Sequence, residues 1–246
     1  MSETIRFWEE VNANIWPAFD YMHFDGWILR LTAGYSTNSN SVWPLYIGER
    51  PLDEKITFCE QLYADRGLAC CFRLAPLPGH NELERLLLAR GYEQSNPKLV
   101  MIQNALAAPA QSISELSLEE WLEAIFLIQP TDDLEISEWE KRLHRQISLP
   151  GRYVIVERDG KPCGYGRSTR QGNILNLEKL WVQPQYRNCG AGTALIQGLL
   201  HMGQKTGADT AFLTVNEDNA AAQRLYARLG FERRYAYRYL VPQAAA

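Results

Sequence analysis

An α/β fold with a mixed sheet, built as two similar units in tandem, is what this sequence predicts. Three observations lead there. Short apolar strands alternate with amphipathic helices, an Asp-Gly hairpin signal precedes them, and the same order of elements recurs in the first half of the chain. The 246 residues are enough for one large or two small domains with a substantial core.

The second half reads most plainly. The segment "NALAAPAQSIS" (104–114) is rich in alanine, serine and proline, lacks an apolar period and reads as a linker, dividing the chain into 1–105 and 112–246. Ser117 and Glu120 have capping-box spacing and predict a helix start, and Ser137 with Glu140 predicts a second. "YVIVERDGKPCGYGRS" sets two strand-like runs around Asp159-Gly160, a hairpin signal. The strand "ILNLEKLWV" follows and leads into "PQYRNCGAGTALIQGLL" (184–200). A loop that only turns needs one glycine. Two glycines in alternation, Gly190 and Gly192, after Arg187 and against a run that reads as helix, suggest backbone N–H groups left uncovered for an anion. In that helix Ala191, Ala194, Leu195, Gly198, Leu199 and Met202 fall on one face. "TAFLTV" (210–215) is a short strand, and a last helix near 219–229 puts Ala222, Leu225, Tyr226 and Leu229 on one face before Gly230 ends it.

The first half repeats part of this order. With Gly67 on Gly207, "GLACCFRLA" falls on "GADTAFLTV" and "LLLARGYE" on "LYARLGFE". Gly207 to Gly230 spans 23 positions and Gly67 to Gly91 spans 24. Trp43 falls over Trp181, at 24 and 26 positions from its glycine respectively. Between these landmarks "YIGERPLDE" stands where the second half has "QYRNCGAGT", so the first copy has no glycine pair. Leu87 falls opposite Tyr226, and His80 opposite Asn219.

Composition narrows the function classes. Apolar residues are 46% and charged residues 22%, ordinary for a globular chain, and the net charge of −4 argues against a nucleic-acid or anionic-membrane surface. The opening residues carry acids and no apolar core of a signal peptide, and no run reaches the length of a membrane span, so a cytoplasmic protein is expected. Five cysteines without CxxC spacing read as reduced structural thiols, with Cys70 and Cys71 adjacent in a strand-like run. Four scattered histidines have no ligand spacing, so no metal is expected.

Two motifs carry a resemblance. Arg187-Asn188-Cys189-Gly190-Ala191-Gly192 resembles the (Q/R)xxGx(G/A) signature of the GNAT acyltransferase superfamily, and "NAAAQRLYARLGF" (219–231) resembles its second signature, NxxAxxLYxxxGF. They stand about 30 residues apart with a helix and a strand between them, and the resemblance covers about residues 150–240. It implies that the loop, with Thr193 following it, holds the pyrophosphate of acetyl-CoA. It implies that the backbone of Leu180, Trp181 and Val182 pairs with the pantetheine arm and polarises the thioester, and that Asn219 bonds that arm. Asn219 has a second reading as a helix cap. Tyr226 matches the tyrosine that protonates the departing thiolate, and its other reading is a plain aromatic on an apolar stripe. Glu178 stands where some members, including aminoglycoside acetyltransferases, hold a carboxylate base; strand alternation puts it on the face of Leu180 and opposite Trp181. Cys189 sits at a helix start that lowers thiol pKa, but transfer in this family is usually direct, so an acyl-cysteine is not expected.

The implied activity is N-acetyl transfer from acetyl-CoA to an amine by direct attack on the thioester, in the second unit. The first unit, without the glycine loop or the tyrosine, looks degenerate; its "GWILRLTAGYSTNSNSVWPL" (26–45) resembles the opening half of bacterial tandem acetyltransferases and offers Arg30, Tyr35 and Trp43. It is expected to shape the acceptor pocket or brace the fold. Two rivals remain: an aminoacyl transferase of the tandem type, and an acyl-CoA-binding sensor without turnover. The acceptor stays open between small-molecule amines and protein or peptide amines, and no oligomeric state is implied.

Overall fold

The computed structural model describes residues 2–34, 36–130 and 133–243, with residues 2, 3 and 134–137 described by their backbone alone. Tyr35, named above beside Arg30 and Trp43, lies outside the described residues. The chain forms two units. The first takes residues up to Leu99, Asn216–Asp218 and the chain from Tyr235; the second takes Val100–Val215 and Asn219–Arg234. The sequence division at 105/112 gives the whole C-terminal strand to the second half, whereas here that strand passes to the first unit at Tyr235.

Along the first unit come α1 (Ser2–Ile15), β1 (Asp20–Phe24), β2 (Trp27–Leu31), β3 (Ser41–Trp43), α2 (Leu52–Ala64), β4 (Phe72–Leu74), α3 (His80–Ala89) and β5 (Tyr92–Gln94). The second unit holds most of β6 (Lys98–Asn104), then β7 (Ser114–Leu116), α4 (Leu118–Ile128), α5 (Leu134–Arg145), β8 (Gly151–Arg158), β9 (Lys161–Gln171), β10 (Ile174–Val182), α6 (Ala191–Lys205), β11 (Thr210–Asn216) and α7 (Ala220–Arg228). The last strand is β12 (Glu232–Pro242). Within the first unit the strand order is β1-β2-β3-β4-β12, with β5 also on β12; within the second it is β6-β11-β10-β9-β8-β7. Hairpins are antiparallel, while β3 with β4 and β10 with β11 are parallel because a helix crosses between each pair.

The two units follow the same order, hairpin, strand, helix, strand, helix, and the glycines that align them, Gly67 with Gly207 and Gly91 with Gly230, all stand at positive φ just past a helix. The Ser117–Glu120 capping box is formed in both directions. α5 begins at Leu134, so Ser137 lies inside the helix rather than at its start. Cys70 and Cys71 are buried just before β4, not within it, and no described cysteine is bridged. The 104–114 segment is docked along α6: Gln111 bonds Gln197 at 2.8 Å, and the His201 ring meets the Ala108 carbonyl at 3.0 Å.

Apolar burial organises each core. In the first unit Trp27, Leu29, Val42, Ile56, Phe72 and Leu87 are essentially inaccessible, each side chain of this kind contributing about 1.5–3 kcal/mol. Arg30 and Trp43 are fully buried here, with the Arg30 guanidinium 4.5 Å from the Trp43 ring and bonded to the carbonyls of Ala13 and Trp16 that end α1. They brace the unit. Arg73 is buried too, in a fork with Glu9 at 2.6 and 2.8 Å. In the second unit α6 lies on β8, β9 and β10 with Ala191, Ala194, Leu195, Gly198 and Leu199 buried, as its periodicity predicts, and Met202 at the margin. Trp121 of α4 anchors the opposite face among Tyr153, Tyr165 and His144.

Candidate active site

The site grows from two backbone irregularities in the second unit. First, β10 and β11 pair in parallel only from Ile174 with Thr210 to Asn176 with Phe212, and the pairing goes no further. Second, β10 carries a bulge between Glu178 and Trp181, with Lys179 at φ 53°. Past Asn176, Trp181 and Val182 keep their partners Tyr165 and Gly164 on β9, while Leu180–Val182 have none on β11, so one edge of this backbone faces a gap.

At the end of β10 a single 3₁₀ turn, Pro184–Tyr186, leads into the glycine loop. Asn188 and Gly190 take left-handed conformations, φ 60° and 86°. Gly190 caps α6 without any side-chain bond. Arg187 N bonds Pro184 O at 3.2 Å; the amides of residues 188–193 have no protein acceptor among the described residues, and helix bonding begins with Ala194 N on Gly190 O. A row of unbonded donors at the positive end of a 15-residue helix can receive an anion. Gly190 is needed for its φ of 86°, which a residue with a side chain rarely adopts.

These parts enclose a cleft of about 490 Å³. Leu180, Trp181, Val182, Arg187, Asn188, Gly190, Gly192, Thr193, Asn219 and Tyr226, all named from the sequence, line it. Ala191 is buried under the helix start, and Cys189 is exposed, its Sγ 2.8 Å from the Tyr186 carbonyl. Neither is in the lining. The Asn219 side chain caps α7 by accepting from Ala222 N at 3.1 Å while also bordering the cleft. The predicted apolar face of α7 is only half-buried apart from Tyr226, because Ala222 and Leu225 line the cleft.

Tyr226 is 8% exposed, with its ring edge-on to Phe231 at 6.2 Å. Its hydroxyl has no hydrogen-bond partner among the described residues, and burial pushes its pKa up to about 12, so at neutral pH it is a proton donor.

Glu178 sits differently from the strand alternation. Because of the bulge, Glu178 pairs with Arg167 and Trp181 with Tyr165, two residues of β9 on one face. Glu178 and Trp181 therefore share a face, and Leu180 turns to the other, toward Leu195 and Leu199 of α6. Glu178 is bonded by the buried Arg167 guanidinium and is not in the cleft lining. Burial raises its pKa against the pull of Arg167.

Two contributors escaped the sequence reading. Arg228, on the outer turn of α7, lines the cleft. Arg158, at the end of β8, reaches the loop and donates to Cys189 O at 3.3 Å. Each lies far in sequence from the glycine motif, and an exposed arginine carries no periodic signal.

Unbonded loop amides, a splayed strand edge and a buried phenol meet around one cleft. Comparison with known proteins gives the family. The model of the Acetyltransferase (GNAT) family matches residues 112–231, and that of the probable histone acetyltransferase Rv0428c C-terminal family matches residues 2–159. The chain belongs to the GNAT family of N-acetyltransferases. An uncharacterized N-acetyltransferase, YobR of Bacillus subtilis, is 24% identical over 93% of this chain and 95% of its own. A mycothiol acetyltransferase of Streptomyces avermitilis is 38% identical, over 33% of this chain and 27% of its own. Among solved structures, a GCN5-related N-acetyltransferase from Kribbella flavida shares the fold with a TM-score of 0.72 at 15% identity, over 100% of this chain and 96% of that one. A tandem GNAT protein from the clavulanic acid biosynthesis pathway shares it with a TM-score of 0.62 at 14% identity, over 84% and 76%. Among the described residues no helix is long and apolar enough to cross a membrane.

Proposed function

We propose that the second unit binds acetyl-CoA in the 490 Å³ cleft and passes its acetyl group directly to an amine. The observation that carries this reading is the run of unbonded amides at residues 188–193, opposite a strand edge freed by the splay. The bound donor supplies an activated thioester. The amides of the loop take its pyrophosphate, with Arg187 at the loop and Arg228 on α7 adding positive charge. Leu180–Val182 hold the pantetheine arm by their free backbone edge and, through an N–H there, polarise the thioester carbonyl; donors arranged in advance in this way lower such barriers by a few kcal/mol.

As the C–N bond forms and the C–S bond breaks, Tyr226 donates a hydrogen bond to the sulfur; the amine's proton passes to solvent, and the thiolate takes one up to leave as the free thiol. A phenol at about 12 facing a thiol near 8.5 gives its proton up at a cost of about 5 kcal/mol, so its main effect is to stabilise charge developing on sulfur. Glu178, held by Arg167 on the Trp181 face, acts by steadying the bulge rather than as a base. Cys189 takes no part.

The acceptor is a primary amine on a small molecule or a peptide. The relatives are named for mycothiol and, in one family description, for histones, so both kinds belong in the screen. The test is thiol release from acetyl-CoA with a panel of small amines and lysine peptides, beside a direct measurement of acetyl-CoA binding. Binding with amine-dependent release is the expected result; binding without release from any amine points to a sensor, and no binding refutes the reading.

A further inference from the structure

The loop between the third strand and its helix occurs in both units, and the two copies are filled differently. In each unit an Asp-Gly hairpin reaches this loop: Asp25-Gly26 joins β1 to β2 at φ 45° and 83°, and Asp159-Gly160 joins β8 to β9 at φ 53° and 70°. In the second unit Arg158, beside that turn, takes hold of the loop by the Cys189 carbonyl and leaves the amides bare. In the first unit the turn residue itself enters the loop. The Asp25 carboxylate accepts from Glu49 N at 3.0 and 3.1 Å and from Arg50 N at 3.0 Å, the amides just before α2.

Lys55 completes the cradle. Its ammonium, with the side chain fully buried, stands 3.0 Å from the same carboxylate and donates to the carbonyls of Asp25 at 2.6 Å and Ile47 at 2.8 Å. Two backbone amides and an ammonium form the donor set of a bound phosphate oxygen. The fit is tight: at Gly48, φ 76°, an added Cβ would lie 2.2 Å from the Asp25 carboxylate. The two amides, first among the causes, hold Asp25 near a pKa of about 2, so it is an anion at any working pH.

A second closure lies at the strand ends. His80, which the repeat sets opposite Asn219, donates from Nε2 to Pro44 O at 2.7 Å and accepts at Nδ1 from Ala75 N at 3.1 Å. One buried ring thus ties the chain after β3 to the chain after β4. In the second unit the corresponding strands part to form the cleft.

We propose that Asp25 is a built-in anion that occupies the first unit's phosphate cradle, so that the chain binds a single acyl-CoA, in its second unit. The location of that one site rests on the function proposed above; the occupied cradle does not.

The test follows the backbone resonances of Glu49 and Arg50 by ¹⁵N NMR as inorganic pyrophosphate is added to wild type and to Asp25→Ala. The wild-type resonances should stay in place, and in Asp25→Ala both should move saturably, with at least tenfold tighter apparent affinity. Gly190 and Ala191 should move in both proteins. Movement of Glu49 and Arg50 in wild type overturns the proposal, as does their failure to move in folded Asp25→Ala. Should that variant not fold, Asp25→Gly keeps the turn at positive φ, empties the cradle and is read by the same criterion. Equilibrium dialysis of wild type with CoA should give one equivalent per chain, and two would overturn the proposal. None would refute the transferase reading alone, since the Glu49 and Arg50 resonances decide the cradle independently.

Discussion

Replacing Tyr226 with phenylalanine separates chemistry from binding in this cleft. The ring is 8% exposed and packs edge-on against Phe231, and phenylalanine keeps both features. The hydroxyl has no partner among the described residues, so its removal strands no donor or acceptor in the protein, and stability should change by less than about 0.5 kcal/mol. The loss falls on the reaction. A hydrogen bond to a charged group contributes about 1.5–3 kcal/mol, which corresponds to a kcat lower by about 10- to 150-fold. The affinity for acetyl-CoA should hold within about twofold, because the loop amides and the β10 edge are untouched. Steady-state kinetics with thiol detection, calorimetric titration with CoA and a thermal melt measure the three quantities on one preparation. An unchanged kcat refutes the reasoning, and so does a fall in kcat matched by an equal fall in CoA affinity, which would make Tyr226 a packing residue. The pH profile adds a check: with the phenol at about 12, any alkaline limb of kcat below pH 10 belongs to another group and persists in the variant.

Three further outcomes are expected. Gly190→Ala forces a side chain into φ 86°, a strain of about 1–2 kcal/mol, and should raise KM for acetyl-CoA about 5- to 30-fold in initial-rate kinetics while sparing kcat at saturation. Glu9→Ala leaves the buried Arg73 guanidinium without its fork and should cost about 3–5 kcal/mol in urea unfolding, whereas a surface carboxylate such as Glu232 should cost little when changed. His144 is pushed down to about 3, by burial first and by nearby Arg167 next, with Glu140 opposing. Its folded pKa lies below its unfolded one, so stability is full above about pH 6.5 and drains as pH falls toward 3. His144→Gln should flatten that part of the acid-unfolding curve followed by circular dichroism.

How much was legible follows from where each interaction lies along the chain. The Ser117 cap, the Asp159-Gly160 turn, the α6 face and the glycine loop are made by residues within a few positions of one another, and all stand as read. Asn219 had two readings and carries the cap while bordering the cleft. Ser137 shows the opposite case: its spacing to Glu140 mimics a cap, but α5 starts a turn earlier, at Leu134. Glu178 was misplaced by an assumption of even alternation, which one extra residue in the strand reverses.

By itself the sequence determined the chemistry on offer: a paired-glycine loop at a helix start, a tyrosine on the following helix and two copies of one α/β order. Tertiary structure alone decided which copy is open. Two Asp-Gly hairpins with the same left-handed turn look alike in sequence, yet Asp25 reaches the amides of its loop while Arg158 takes the carbonyl of the other. Those bonds close over more than 20 residues, and closure at that distance depends on how each sheet carries its hairpin to the helix start, which leaves no period or spacing in the chain to read.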